Sequence, residues 1–143
     1  MPGEFSFTID RRITPAEDFQ REKQKLRAFL NAALPGAAIE VLQEGASAST
    51  PADGPLARAL AESVYQVTKK RPKIEPLHGL LETRFYAAQG IPALAYGPGL
   101  LTVSHGPNEF VPVRNIEQCA LIYALTAQKV FNMDIQDTQD KNL

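Results

Sequence analysis

The stretch Gly97-Pro-Gly-Leu-Leu-Thr-Val-Ser-His-Gly-Pro-Asn-Glu-Phe-Val-Pro-Val113 places one histidine, His105, in a Gly/Pro-rich loop between an apolar run and the start of a helix. Proline fixes φ and glycine permits positive φ, so such a loop can hold His105 and Glu109 in one geometry. Ligand-binding and catalytic groups are often mounted on loops of this kind. The residue types alone leave two interpretations open, a functional histidine or a solvated histidine on a surface turn.

The composition is that of an ordinary globular chain. The 143 residues are 44% hydrophobic and 22% charged with a formal net charge of −1, so no electrostatic feature favours nucleic acid or an anionic membrane as a partner. No apolar run approaches the roughly 20 residues that span a bilayer, and the first residues lack a signal-peptide pattern. The lone Cys119 excludes a disulfide within the chain, and we expect a cytoplasmic protein. The apolar helical pattern around Cys119 favours a packed core thiol over a nucleophile.

The first part of the chain is predicted to be a β-α-β unit. Apolar and polar residues alternate near the start of residues 5–13, which is typical of a half-buried strand. Thr14-Pro15-Ala16-Glu17 has the order of a capping box, so a helix is expected from there to about residue 33. Residues 37–42 are predicted to form a second strand. Two strands joined by a helix require a crossover, which gives the sheet parallel character.

The chain is predicted to divide at a stretch of small and polar residues, the linker 47–54. It separates a first domain, 1–46, from a second, 55–135, and a flexible tail, 136–143, follows. The second domain is predicted to contain a helix from Pro55 to the basic residues before Pro72, a short helix at about 82–89, a buried strand at 91–96, and a last helix capped by Asn115 with Gln118 and running through Phe131.

Three series of residues carry a family resemblance. They are Gly79-Leu-Leu-Glu-Thr-Arg-Phe-Tyr-Ala-Ala-Gln-Gly-Ile-Pro-Ala-Leu-Ala-Tyr-Gly-Pro-Gly99, Ser104-His-Gly-Pro-Asn-Glu-Phe-Val111, and the opening Pro2-Gly-Glu-Phe-Ser-Phe-Thr-Ile-Asp-Arg-Arg-Ile-Thr-Pro-Ala-Glu17. The first two resemble the C-terminal end of the dinuclear-zinc amidohydrolases and exopeptidases, a family that includes acetylornithine deacetylase, succinyl-diaminopimelate desuccinylase, aminoacylase and glutamate carboxypeptidase. The opening is similar to the middle of that family's smaller lid, or dimerisation, domain. The resemblance implies an α/β chain: half of a ferredoxin-like lid (β-α-β), then the C-terminal α/β part of a zinc-exopeptidase-like catalytic domain.

The resemblance assigns roles to residues of the loop. It puts His105 at the position of the family's last zinc ligand, and an imidazole suits Zn²⁺ in a site otherwise built from carboxylates and another histidine. Asn108 and Glu109 follow in the same loop, where an acidic side chain can orient the loop that carries the ligand without binding the metal itself. Gly97 and Gly99 match glycines that let the backbone approach the substrate closely. These roles are expectations that rest on the resemblance.

Arg84 matches an arginine that grips the substrate carboxylate in many family members, and its alternative is a surface salt bridge. The neighbouring residues depart from the family's Gly-Gly-Thr-Asp-Ala-Arg, because this chain has Gly79-Leu80-Leu81-Glu82-Thr83-Arg84. The departure puts the substrate subsite in doubt. His78 has no counterpart in the family, and we expect it to be exposed or locally hydrogen-bonded. The lid signature Asp10-Arg11-Arg12 is interpreted as structural.

The family's other metal ligands and its general base have no position in this chain. We therefore expect the C-terminal portion of a zinc-dependent amide hydrolase that acts on N-acyl amino acids or small peptides and is inactive alone. Zn²⁺, or Co²⁺, is expected only if an N-terminal part completes the site. The alternative is a non-catalytic interaction or dimerisation module, or a truncated remnant. The lid half also lacks a strand, which predicts a homo-oligomer or a complementing N-terminal chain, with neither nucleic acid nor membrane as a partner.

Overall fold

The computed structural model describes residues 3–77, 79 and 81–140. Its contacts divide the chain into two units, Met1–Ser49 and Thr50–Leu143, and the boundary falls inside the segment expected to be a linker. The described residues form four helices, α1 (Phe19–Ala33), α2 (Pro55–Thr68), α3 (Thr83–Ala87) and α4 (Val113–Asp140). None of these helices combines the length and apolar character needed to cross a membrane. The limits of the predicted domains and the flexibility of the tail stay predictions.

The structure corrects the prediction of strands. Residues 5–13, 37–42 and 91–96 form no β-ladder with any described part of the chain, so neither the β-α-β unit nor the buried strand is present. The first segment is also exposed on its apolar side, since Phe5 is 83% and Phe7 57% accessible. The two ring centroids lie 5.9 Å apart, as expected for alternate side chains on one side of an extended segment. The alternation is therefore real, but a strand needs a neighbour to pair its backbone groups.

Helix α1 begins later than the capping box predicts. Asp18 is its N-cap, and its carboxylate accepts the backbone N–H of Arg21 at 2.7 Å. Thr14 and Glu17 instead close a turn before the helix, in which a carboxylate oxygen of Glu17 accepts the Thr14 backbone N–H at 2.7 Å. Both Asp18 and Thr14 can cap a helix, and the short Asp18 side chain reaches the third N–H directly. The contact between Thr14 and Glu17 forms as the pattern predicts, but it precedes the helix instead of capping it.

Ion pairs connect the parts of the first unit. Arg11 bonds Glu17 and lies 3.7 Å from a carboxylate oxygen of Glu22 on α1. Lys23 on α1 pairs with Glu44 at 2.6 Å, which brings the segment after residues 37–42 back to the helix. No residue of α1 is buried. The unit is thus held by surface contacts, each of which contributes little in water.

The core of the second unit lies between α2 and α4. Its fully or nearly buried residues are small or β-branched; they are Ala57, Ala59, Ser63 and Val64 on α2 and Cys119, Ile122 and Thr126 on α4. The buried hydroxyls are satisfied within their own helices, because Ser63 donates to the Ala59 carbonyl at 2.8 Å and Thr126 to the Ile122 carbonyl at 2.7 Å. Cys119 is 4% exposed, which confirms the expectation of a core thiol.

The start of α4 differs from the prediction that Asn115 caps it. The helix begins at Val113, two residues earlier, and the backbone N–H of Asn115 donates to the Pro112 carbonyl at 2.9 Å. The side chain of Asn115 therefore lies in the first helical turn. It donates a hydrogen bond to the Pro98 carbonyl at 3.1 Å instead of accepting one from a helix N–H.

Candidate functional site

The loop that carries His105 is built from three successive turns. In each turn a backbone N–H donates to the carbonyl three residues earlier: Val103 to Leu100 at 3.1 Å, Gly106 to Val103 at 3.2 Å, and Glu109 to Gly106 at 3.2 Å. The last two turns share Gly106, where an added Cβ would lie 3.1 Å from the Val103 carbonyl oxygen. The crowding explains a glycine at this position, and the turns explain how the sequence stiffens the loop.

His105 is exposed and has a φ of 62°, in the left-handed region. Histidine enters this region more readily than most residues other than glycine, asparagine and aspartate. A carboxylate oxygen of Glu109 accepts the backbone N–H of His105 at 3.0 Å. The structure therefore brings together two of the predicted site residues, and Glu109 orients the loop through the backbone and leaves the imidazole accessible. Asn108 is exposed between them.

Gly97 and Gly99 begin the same loop, and nothing in the chain explains why they are glycines. Neither has a φ in the left-handed region, and a Cβ added to either would have no heavy atom within 4 Å beyond its chain neighbours. A larger side chain would thus fit both positions in this chain.

Arg84 lies on the short helix α3 with its guanidinium carbon 4.7 Å from the centroid of the Phe85 ring. Its Nε is buried and has no hydrogen-bond partner among the described residues. The alternative of a surface salt bridge is not seen there either. Leaving a buried donor unpaired is unfavourable, which makes the Arg84 guanidinium a candidate for binding an anion. His78 and Leu80, which precede α3, lie outside the described residues.

Side chains that the sequence analysis missed support the segment before the loop. The hydroxyl of Thr50 donates to the Ala93 carbonyl at 2.7 Å and accepts the Ala93 N–H at 3.0 Å. On α4, Asn115 bonds the Pro98 carbonyl at 3.1 Å, and the Tyr123 hydroxyl donates to the Tyr96 carbonyl. No local sequence pattern predicts these hydrogen bonds, because the two residues of each pair lie 17 to 43 positions apart in the sequence.

The described residues do not form a complete metal site by themselves. No group of three or more His, Cys, Asp or Glu side chains that could hold a metal ion occurs within them. The exposed imidazole of His105 fits the role of one zinc ligand in its chemistry and accessibility. The other ligands of a catalytic zinc site would have to come from elsewhere.

Comparisons with known proteins agree with the resemblance. The sequence model of peptidase family M20/M25/M40 matches residues 4–129. The chain is 30% identical over 136 residues to succinyl-diaminopimelate desuccinylase of Nitrosomonas eutropha, a match that covers 94% of this chain and 35% of that protein. It is 29% identical over 132 residues to the enzyme of the same name from Nitrosomonas europaea, covering 91% of this chain and 34% of that protein.

No solved structure is significantly similar to the chain. The chain spans about a third of the length of the two relatives it matches. The family match extends over most of the 143 residues and includes the loop around His105, the helix with Arg84 and the opening segment. This confirms the resemblance inferred from the residue patterns, and the chain belongs to peptidase family M20/M25/M40.

Proposed function

We propose that the chain is the C-terminal portion of a metal-dependent hydrolase that cleaves an amide bond in N-acyl amino acids or small peptides. The observation that carries the proposal is the mounting of His105, whose imidazole is exposed while Glu109 holds its backbone N–H at 3.0 Å. Glu109 fixes the backbone that carries the imidazole, and the exposed imidazole is accessible to a metal ion. Zinc as the metal and the cytoplasm as the compartment are part of this proposal.

This chain's residues would bind and orient the substrate. Both relatives are named for removing a succinyl group from diaminopimelate, and an N-acyl amino acid carries a carboxylate next to its amide. The unpaired Nε of Arg84 offers a donor to that carboxylate, and a guanidinium can bind it with two parallel hydrogen bonds. The open backbone at Gly97 and Gly99 would admit the substrate chain. His105 would hold a metal ion, whose chemistry when bound would be to lower the pKa of a water molecule and to act as a Lewis acid toward the scissile carbonyl.

The lid fold belongs to the same proposal. Residues 5–13 and 37–42 have the sequence pattern of strands but no partner in the described chain. We propose that they become strands of a ferredoxin-like lid sheet when a further strand is supplied, because backbone pairing is what the segments lack. That strand would come from an N-terminal chain or from a second copy.

The proposal is tested by completing the protein. The chain is purified alone and together with the product of the reading frame immediately upstream, and zinc is measured by elemental analysis alongside hydrolysis of N-acetyl and N-succinyl amino acids. We expect no stoichiometric zinc and no turnover for the chain alone. The complex should bind zinc and turn over substrate, and His105→Ala in the complex should abolish turnover.

Two outcomes would overturn the proposal. Zinc binding with turnover by the isolated chain would show that it is not a portion of a larger site. A complex that forms but neither binds zinc nor hydrolyses any of the substrates would remove the enzymatic interpretation. The second result would leave the alternative, a non-catalytic interaction module.

The exposed apolar residues of the first unit favour that alternative as a second candidate function. Phe5, Phe7 and Ile9 present one apolar side of the opening segment, and Val41 and Leu42 are exposed in the segment after α1. The rings of Phe5 and Phe7 are neighbours, and contiguous exposed apolar side chains mark surfaces that associate. We propose that this surface, residues 5–9 with 41–42, pairs with a second copy or with an N-terminal chain.

The association is measured by size-exclusion chromatography with light scattering. The wild-type chain should be a dimer and the double variant Phe5→Ser/Phe7→Ser a monomer. Leu101→Ser is the matched control, because Leu101 is also highly exposed but lies in the other unit. A wild-type monomer would contradict pairing with a second copy and leave the N-terminal chain as the partner. A dimer that is lost equally in the control would contradict pairing through this surface.

A further inference from the structure

Two side chains of α4 hold the backbone on either side of Gly97. The hydroxyl of Tyr123 donates to the Tyr96 carbonyl, and the amide of Asn115 donates to the Pro98 carbonyl at 3.1 Å. The two donors are eight residues apart on the helix, about 12 Å along its axis, whereas the two acceptors are separated by one residue. Tyr123 can still reach the Tyr96 carbonyl, because its side chain is long and helical side chains lean toward the N-terminus of their helix.

The tyrosine is itself fixed in place. Its ring meets the Tyr96 ring edge-on, with centroids 6.3 Å apart and an interplanar angle of 79°. Cys119, one turn earlier on α4, is a core residue. A hydrogen bond with Cys119 and partial burial raise the pKa of the Tyr123 hydroxyl, which favours its protonated, donating form.

Between the two anchored carbonyls lie Gly97, which has no side chain, and Pro98, whose ring fixes its own φ. Gly97 has free space where a Cβ would be, and so does Gly99. Glycine is the residue with the greatest backbone freedom, so its conformation has to be set by neighbouring contacts. The bonds from Asn115 and Tyr123 provide such contacts to the residues on both sides of Gly97.

We infer that Asn115 and Tyr123 are positioning residues that attach the backbone of residues 96–98 to α4. This attachment keeps the open side of Gly97 and Gly99 in place for a substrate. The inference rests on the proposed function for its substrate, but the positioning itself is a property of this chain. We assign both side chains to the backbone of this segment and assign no substrate contact to either. Their effect should therefore appear in substrate binding more than in the chemical step.

The test deletes each donor without changing the shape of the side chain. Tyr123→Phe removes the hydroxyl, and Asn115→Asp replaces the amide N–H groups with oxygen while keeping a residue that is favourable in the first turn of a helix. Tyr65→Phe is the matched control, since Tyr65 lies on α2 with its ring under Arg71. Backbone ¹⁵N order parameters of Gly97 and Gly99 are measured by NMR in the full 143-residue chain.

We expect order parameters of about 0.8 in the wild type and in the control, falling below about 0.6 in the double variant Asn115→Asp/Tyr123→Phe. Unchanged order parameters in the double variant would overturn the inference, and so would equal loosening in the control. In the completed enzyme the double variant should raise KM about tenfold and change kcat less than about twofold, a pattern that indicates lost binding. A fall in kcat at constant KM would overturn the role in binding.

The two parts of the experiment separate this inference from the proposed function. The order parameters decide whether the two side chains fix the segment, whether or not the complex has activity. An inactive complex with loosened glycines in the double variant would overturn the proposed function and leave the positioning of the segment established.

Discussion

The hydroxyl of Thr50 satisfies both backbone groups of Ala93, donating to its carbonyl at 2.7 Å and accepting its N–H at 3.0 Å. This is the pairing that a neighbouring strand would provide, made by one side chain. It ties the first residue of the second unit to the segment that leads into the His105 loop. The contact explains how that segment stays ordered without a sheet in the described chain.

Thr50→Val should destabilise the second unit by about 1–2 kcal/mol, because valine has the same shape but leaves two partly buried backbone groups unpaired. Thr50→Ser keeps the hydroxyl and should recover most of the loss. Urea denaturation followed by the fluorescence of the tyrosines measures the free energy of unfolding. Equal destabilisation in both variants would show that the threonine methyl group, and not the hydroxyl, makes the contribution.

Asp18→Ala should destabilise α1 by about 1 kcal/mol, since its carboxylate accepts the Arg21 N–H at 2.7 Å and acts as the N-cap. Thr14→Ala is the comparison, because Thr14 belongs to the turn before the helix and its hydroxyl contact with Glu17 is exposed. Amide exchange of the first turn of α1 measures the effect. A larger effect of Thr14→Ala would restore the capping box as the start of the helix.

Several helices could be predicted from the sequence because their signals are local. Pro55 marks the first residue of α2, and the basic residues before Pro72 mark its end. Each of these signals involves only a few neighbouring residues. Cys119 fell on the apolar pattern of α4 and is buried there. The start of α1 was predicted too early because Thr14 and Asp18 are both residues that cap helices. The local sequence does not show which of the two will act as the cap.

The strands could not be predicted correctly because their formation is not local. Phe5 and Phe7 show the expected alternation and lie on one side, yet no partner exists in the described chain to pair the backbone. The support of the loop was missed for a related reason. Asn115 has the residue type of a cap, and its bond to Pro98 depends on a contact 17 residues away in sequence.

Glu17 should resist protonation far into the acid range. The backbone N–H of Thr14 and then the guanidinium of Arg11 bond its carboxylate and lower its pKa from 4.5 to about 2. A lowered pKa means that the ionised form stabilises the fold; this contribution is complete above pH 4.5 and is lost as the pH falls toward 2. Carboxyl ¹³C NMR titration should therefore show a midpoint near 2.

Arg11→Gln tests the causes of this lowered pKa. The variant should raise the midpoint of Glu17 but leave it below 4.5, because the Thr14 N–H still donates. A wild-type midpoint of 4.5 would contradict the contacts of the turn.

Gly97→Ala and Gly99→Ala should leave the stability of the isolated chain within about 0.5 kcal/mol of the wild type. Both positions have space for a Cβ, and neither has a left-handed φ. Gly90→Ala is the matched control: it also has space, but its φ of 72° should make the substitution unfavourable. Thermal unfolding measures all three.

In the completed enzyme Gly97→Ala should raise KM, and an unchanged KM would show that the substrate does not approach this glycine.

His105→Ala should change the free energy of unfolding of the chain by less than about 0.5 kcal/mol. The imidazole is exposed, and the bond to Glu109 uses the backbone N–H, which alanine retains. His105→Asn should be slightly more stable than His105→Ala, because asparagine tolerates a φ of 62° better. Glu109→Gln, which weakens the acceptor of the His105 N–H, should be more destabilising than either. If His105→Ala unfolds the second unit while Glu109→Gln does not, the imidazole is a structural group, and its role as a metal ligand would lose its support.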